Sequence, residues 1–178
     1  MLKKVLLVVA ALVLVLVAVV ATRPGEFRVE RSVVVAAPPE RVYAQIVDFH
    51  AWPGWSPWAK LDPAMKADYS GGDGQVGAAY HWVGNDKVGE GRMTITELSP
   101  PRRLTIRLEF LKPFEATNQT VFDLTPEQGG TRVAWIMSGQ NGAVGKLFAL
   151  FMDMDKTVGG DFERGLAALK AQAEASRS

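Results

Sequence analysis

Residues 103–110 read RLTIRLEF, the most regular alternation of apolar and polar side chains in the chain. Every even position is apolar, and every odd position is polar or charged. Because successive side chains of a β-strand point to opposite faces, this pattern predicts a strand with one buried and one solvated face. Such alternation is typical of antiparallel sheets, so we expect the even-numbered side chains to face a core.

The segments on both sides of this strand continue the pattern. Residues 27–35 alternate in the same way, and Pro38-Pro39-Glu40 opens a helix, because proline is tolerated in the first helical turn. The segment 52–58 contains three tryptophans and two prolines, and its prolines predict a short helix or paired turns. Further strands are predicted at residues 65–69, 78–82, 91–98, 114–124 and 132–137.

The C-terminal segment changes to a helical period. Apolar residues recur at helical spacing from Val144 to Leu169, which predicts one long helix. Gly159-Gly160 near its middle suggests a kink or the close approach of another backbone. Strands grouped between terminal helices predict an α+β domain rather than alternating βαβ units.

The N-terminal segment is apolar enough to enter a membrane. Lys3 and Lys4 precede an unbroken apolar run at residues 5–21. A helix of about 17 to 20 residues, rising 1.5 Å per residue, spans most of a ~30 Å hydrocarbon core. We therefore expect a transmembrane anchor or signal segment at 1–22, a linker at 23–26 and one folded domain at 27–175.

Two interpretations of the N-terminal segment remain open. A cleaved secretory signal also has a basic start and an apolar centre, and Val19-Val20-Ala21 fits a small-residue cleavage site. The length of the run and the absence of a helix breaker favour an uncleaved anchor. The two lysines favour a cytoplasmic N-terminus with the domain on the extracytoplasmic side. Cleavage would instead give a periplasmic or secreted protein.

Composition excludes several classes of function. Without Lys3 and Lys4, 18 basic residues face 19 acidic ones, so no excess of positive charge indicates a nucleic-acid partner. The chain has no cysteine, which excludes disulfides, thiolate nucleophiles and cysteine-ligated metals. With only two histidines and no metal-ligand spacing, we expect neither a metal nor another cofactor. Nothing in the sequence indicates a protein partner.

Several short motifs keep a characteristic order between residues 27 and 174: RSVVVAAPPERVY at 31–43, WSPW at 55–58, GEG at 89–91, GTRVAW at 130–135 and DFERGL at 161–166. Their order and spacing resemble the SRPBCC superfamily, also called the START or helix-grip fold, and most of all its polyketide cyclase/dehydrase branch. The resemblance implies a curved antiparallel sheet wrapped around a long C-terminal helix, with an apolar cavity between them. It does not imply one chemistry, since the superfamily includes lipid carriers, receptors and cyclases.

Strand parity and helical spacing supply candidates for the lining of the implied cavity. Large aromatic side chains and methionine can build an adaptable apolar pocket, although the same residues can simply fill a core. The three tryptophans of segment 52–58 can cap the cavity, lie at a bilayer interface or pack inside. The apolar candidates are Trp55, Trp58, Tyr80, Trp82, Met93, Ile95, Leu108, Phe110, Phe122, Trp135, Met137, Phe148, Phe151 and Met152.

Three polar residues are added to these candidates. Asn118 and Thr120 share the inward parity of their strand, and buried polar groups require hydrogen-bond partners, such as a ligand, water or a neighbour. Asp155 falls within the apolar stripe of the predicted helix, where it can face the cavity or pair with a basic residue.

Two functions remain open. The first is a membrane-anchored binding protein for a hydrophobic small molecule or lipid, without covalent chemistry. The second is a cyclase- or dehydratase-like enzyme, in which Asn118, Thr120 or Asp155 would act in the same cavity. No Ser-His-Asp arrangement or phosphate-binding glycine loop is recognisable, so we designate no catalytic residues and favour the binding function.

Overall fold

The computed structural model describes residues 1–22, 24–140, 142–148, 150 and 153–175, without the side chains of residues 143, 144 and 148. Two candidates for the cavity, Phe151 and Met152, therefore lie outside the described residues, as does the side chain of Phe148.

The described chain contains four α-helices, one 3₁₀ helix and seven strands. In chain order they are α1 (Leu2–Ala21), β1 (Glu26–Val35), α2 (Pro39–Val47), the 3₁₀ helix (Phe49–Gly54), β2 (Lys66–Ser70), β3 (Ala79–Val83), β4 (Glu90–Ser99), β5 (Arg103–Lys112), β6 (Ala116–Glu127), β7 (Gly130–Gln140), α3 (Ala143–Phe148) and α4 (Met154–Ala175).

All seven strands form one antiparallel sheet in the order β1-β7-β6-β5-β4-β3-β2. The sheet is curved, and its inner face packs against α2, the 3₁₀ helix and α4. This arrangement confirms the predicted α+β helix-grip fold. Helix α1 precedes the domain and has no buried residue, so it adds nothing to the core.

The inner face is not buried evenly along its strands. Leu104 and Ile106 at the start of β5 are fully buried, whereas Leu108 and Phe110 on the same face are only half-buried. Helix α2 covers the end of the sheet that holds Leu104 and Ile106, where the Tyr43 hydroxyl donates to the Arg103 carbonyl. The other end of the inner face lies beyond α2, which leaves room for a cavity.

The C-terminal helical segment differs from the single long helix that we predicted. Helix α4 begins at Met154, after the described non-helical residue Asp153. The Asp153 carboxylate accepts the Lys156 backbone N–H at 3.1 Å, which satisfies one of the unpaired donors of the first turn. This hydrogen bond holds the pKa of Asp153 below its usual value. Apolar spacing continues across the cap, so periodicity alone did not reveal it.

Arg31 fastens the first turns of α4 to β1. Its guanidinium donates to Glu163 at 2.7 Å, and to the Asp155 carboxylate and carbonyl at 3.0 Å. The Arg31 hydrogen bond holds the pKa of Asp155 below its usual range. The guanidinium lies over Gly159, where a Cβ would overlap it. The missing Cβ of Gly159 therefore makes room for the Arg31 side chain. We had expected a kink or the close approach of another backbone.

The two central glycines of α4 should respond oppositely to alanine. A Cβ at Gly160 meets only ordinary contact with Arg164, so Gly160→Ala should raise the free energy of unfolding by about 1 kcal/mol through helix propensity. Gly159→Ala should lose this gain because Arg31 must leave its two carboxylates. Urea unfolding of both variants, alone and with Arg31→Ala, measures the difference. Equal stabilities in the presence of Arg31 would contradict the proposed packing.

Candidate functional site

A cavity of about 220 Å³ lies between the inner face of the sheet, the 3₁₀ helix and α4. Its wall is mostly apolar and carries few polar groups, which is typical of small-molecule sites. The volume exceeds the ~150 Å³ of a cavity that holds benzene and falls below the ~300 Å³ at which drug-sized sites begin. The lining residues are Trp52, Pro53, Ser56, Trp58, Ala59, Met65, Tyr80, Trp82, Lys87, Val88, Met93, Leu108, Phe110, Thr120, Trp135, Met137, Val158, Asp161 and Phe162.

Stacked and perpendicular aromatic rings form one side of the cavity. Trp135 from β7 stacks on Phe162 of α4, with ring centres 4.1 Å apart and planes at 7°. Trp58 stands at 90° to Trp135 with a centre distance of 5.7 Å. Offset and edge-to-face pairs each contribute about 0.5–1.5 kcal/mol beyond area burial. These contacts give the wall a defined shape.

The indole N–H of Trp135 is the exceptional polar group of this wall. Trp52, Trp55 and Trp82 donate their indole N–H groups to backbone carbonyls at 2.8, 3.0 and 3.1 Å. Nε1 of Trp135 is buried and has no hydrogen-bond partner among the residues that the structure describes. An unsatisfied buried donor costs about 1–3 kcal/mol, and this nitrogen has almost no accessible surface, so it is closed off from the cavity as well as from solvent.

Thr120 and Tyr80 add two further hydroxyl groups. Thr120 is 3% exposed and lies on β6, diagonally across from Trp135 on β7. Burial raises the pKa of the Tyr80 phenol to about 12, so the group stays protonated at neutral pH. Within the described part of the chain, no hydrogen bond of either side-chain hydroxyl is found. Both groups can donate to a neutral oxygen.

Charged groups occur only toward the rim of the described lining. Lys87 comes from the β3–β4 loop, and Asp161 from α4 forms an ion pair with Arg164. The inner wall therefore combines apolar surface with neutral donors. This environment disfavours a buried carboxylate or ammonium and suits a largely apolar molecule with an oxygen acceptor.

Nine of the predicted residues line this cavity. They are Trp58, Tyr80, Trp82, Met93, Leu108, Phe110, Thr120, Trp135 and Met137. Trp55, Ile95 and Phe122 have the expected inward parity or burial but lie in the packed core instead of the lining. Trp52 and Trp55 are 4% and 1% exposed, which excludes a bilayer-interface position for these two indoles.

Two polar candidates lie elsewhere. Asp155 is held on the surface by Arg31, so its predicted position in the cavity is wrong and its pairing with a basic residue is the observed one. Asn118 is buried as its parity predicts, but it lies beside Gly139 at the β6–β7 pair rather than on the cavity wall. An open, largely polar depression near Asn118 extends onto the outer face of the sheet.

Sequence reasoning missed lining residues that come from loops. Met65 was expected to begin a strand but lies just before β2. Lys87 and Val88 belong to the β3–β4 loop, where no strand parity applies. Val158 lies one turn before Phe162 on α4 and three residues before Asp161, and this helical spacing was a signal that could have identified Val158.

One group of described residues, apart from the cavity, could offer ligands to a metal ion together. Nδ1 of His50 lies 3.2 Å from Asp48 Oδ1 and 3.4 Å from Asp73 Oδ1. Asp73 belongs to the β2–β3 loop, so spacing along the sequence did not predict this cluster. The three side chains are about half-exposed or more, His50 hydrogen-bonds Asp48 and lies within ion-pair distance of Asp73, and none of the three lines the cavity.

Comparison with protein families identifies this architecture. Residues 26–174 match the profile described as "Polyketide cyclase / dehydrase and lipid transport". The chain belongs to this family. The match covers β1 to α4, the whole of the sheet and helix that enclose the cavity, and confirms the resemblance seen in the sequence.

Solved structures show the same fold at low sequence identity. Protein CV1439 from Chromobacterium violaceum is 21% identical with a TM-score of 0.60, covering 85% of this chain and 99% of that one. A protein from Rhizobium leguminosarum is 14% identical with a TM-score of 0.62, covering 85% and 96%. The Aha1 dimer from Colwellia psychrerythraea is 17% identical with a TM-score of 0.60, covering 85% and 99%. No curated protein gives a significant match.

Two inward threonines provide a matched test of the site. Thr131 is fully buried and donates to the Ala37 carbonyl at 2.7 Å, so Thr131→Val should lower the free energy of unfolding by about 1–3 kcal/mol. Thr120→Val should leave it unchanged or raise it, because no described protein group hydrogen-bonds this hydroxyl. Urea unfolding measures both values. A loss at Thr120 equal to that at Thr131 would show that this hydroxyl is already paired.

Proposed function

We propose that this chain is a membrane-anchored binding protein that holds a hydrophobic small molecule or lipid between its sheet and α4. The observation that carries the proposal is the 220 Å³ apolar cavity, whose wall includes the hydroxyl-bearing residues Thr120 and Tyr80. The family description includes lipid transport, which supports an apolar ligand. A neutral acceptor on that ligand, such as a carbonyl, would accept a hydrogen bond from one of these hydroxyls.

The position of the polar groups favours binding over cyclase- or dehydratase-like chemistry. Of the three residues considered for catalysis, only Thr120 lines the cavity. A threonine hydroxyl has no pKa suited to proton transfer near neutral pH, and the Tyr80 phenol is held protonated. Both residues serve as hydrogen-bond donors that orient a ligand.

The N-terminal helix supports membrane attachment. Helix α1 has 20 residues, contains no acidic residue and is wholly unburied in the domain. At 1.5 Å per residue, this length corresponds to about 30 Å, the thickness of the hydrocarbon core. We propose that α1 is retained, with Lys3 and Lys4 on the cytoplasmic side and the domain on the extracytoplasmic side.

Filling the cavity should abolish binding of a neutral apolar probe. Leu108→Trp places an indole in the free volume, so the affinity for the ketone-bearing fluorophore Prodan should fall at least about tenfold. The matched control Val34→Trp lies on the exposed outer face and should bind normally. The domain from Pro24 onward suits this titration, because solved relatives consist of this domain alone. Near-UV circular dichroism confirms folding, and unchanged affinity in folded Leu108→Trp would refute the cavity site.

Retention and orientation of α1 can be tested with single cysteines, since the chain has none of its own. In cells, the protein should stay in membranes after carbonate washing and keep the mass of the uncleaved chain. A membrane-impermeant maleimide should label Val76→Cys in intact spheroplasts and Leu2→Cys only after permeabilisation. A chain starting after Ala21 would refute the anchor, and the reverse labelling pattern would refute the orientation.

A further inference from the structure

Strand pairing places the anchor and the cavity at the same end of the sheet. The first residue of β1, Glu26, pairs with Gln140 at the end of β7, and β6 begins and β5 ends beside them. β4 begins and β3 ends at this end too, because Glu90 pairs with Lys112 and Val83. We call this the anchor end of the sheet.

The cavity occupies the half of the domain nearer the anchor end. Its lining includes Phe110 and Trp82 from the last residues of β5 and β3, and Lys87 and Val88 from the adjoining loop. Residues toward the opposite end of β5 and β6, such as Leu104 and Leu124, are packed in the core and do not line it. A ligand that enters at Lys87 and Val88 therefore enters on the side of α1.

Exposed apolar side chains concentrate at the anchor end. Outside residues 1–21, eight large apolar side chains of the described residues are exposed, and only Val34 and Val76 lie away from this end. The other six, which we call the apolar rim, are Leu61, Val83, Leu111, Phe114, Leu147 and Met154. They come from five parts of the chain, since Leu111 and Phe114 lie three residues apart, so the fold rather than local sequence brings them to this end.

The linker keeps this rim close to the bilayer. Four residues, 22–25, separate the end of α1 from the start of β1. Fully extended, four residues span about 14 Å, and a headgroup layer is about 5–8 Å thick. The first residue of β1 therefore cannot move more than about two headgroup layers from the hydrocarbon boundary. A rim of apolar side chains held at this distance has lipid as its nearest apolar surface.

We propose that the apolar rim docks on the bilayer that α1 spans, so that the cavity opens against the lipid. This inference rests on the proposed anchor and extends the proposed binding function by naming the source of the ligand. Charges at this end are balanced: Lys60, Lys66, Lys87, Lys112 and Lys146 accompany Glu26, Asp62, Asp86, Glu90 and Glu115. The contact should therefore be apolar and insensitive to salt.

The test uses the full chain reconstituted in phosphatidylcholine vesicles, with single-cysteine variants carrying the fluorophore NBD. Reporters at Val83→Cys and Leu111→Cys lie on the rim, and Val76→Cys is the matched exposed control in the β2–β3 loop at the opposite end. Interfacial doxyl lipids should quench the two rim reporters at least about twofold more strongly than the control, since docked side chains enter the headgroup boundary. Quenching should not change with added salt.

A charged substitution tests whether the rim itself makes the contact. Val83→Asp should release the Leu111→Cys reporter from quenching, whereas Val76→Asp should leave it quenched. Equal quenching at all three positions, or no effect of Val83→Asp, would overturn the proposal. Blue-shifted rim reporters that doxyl lipids do not quench would also overturn it, because they would indicate contact with a second copy of the chain. A missing anchor is distinguished from missing docking, since it leaves the protein outside the vesicle fraction.

Discussion

The stacking contact between Trp135 and Phe162 sets the distance between the sheet and α4. The indole lies flat on the phenyl ring, 4.1 Å from centre to centre, and its benzene edge reaches Gly165 on the next turn. A Cβ at Gly165 would stand 2.8 Å from the indole and 3.0 Å from Pro57, so only glycine allows this approach. This rigid aromatic stack holds the helix on the sheet. The helix therefore cannot move inward to close the free volume beside the stack.

The cavity lies where the elements packed on the inner face do not cover the whole length of the sheet. Helix α2 and the buried Trp52 and Trp55 fill the inner face where Leu104 and Ile106 are fully buried. Beyond Trp135 the wall consists of single side chains from the strand ends and from loops. Close packing normally eliminates such space, because each void forfeits contacts worth about 0.1–0.2 kcal/mol per atom pair. A cavity at this point is therefore a stable feature only if the aromatic side chains around it are rigid.

Parity and period predicted much of this arrangement, and their limits have physical causes. The alternation in residues 103–110 correctly identified the inward face of β5. The same reasoning correctly placed Asn118 and Thr120 on the buried face of β6. Parity names a face but not what covers it, so it could not separate Ile106 in the core from Leu108 in the cavity. Helical period likewise continued through the cap at Asp153. Contacts made by loops, such as those of Lys87, have no periodic signal at all.

The polar groups of the wall constrain the ligand more than its volume does. Methionine side chains such as Met93 and Met137 can repack, so the cavity can change in size with little cost. Thr120 and Tyr80 can both donate and neither carries charge at neutral pH. A hydrocarbon without oxygen would leave these two hydroxyls without a partner, and a carboxylate would be desolvated without a cation inside. A neutral oxygen on an apolar body satisfies both conditions, and molecules of this kind partition into the bilayer.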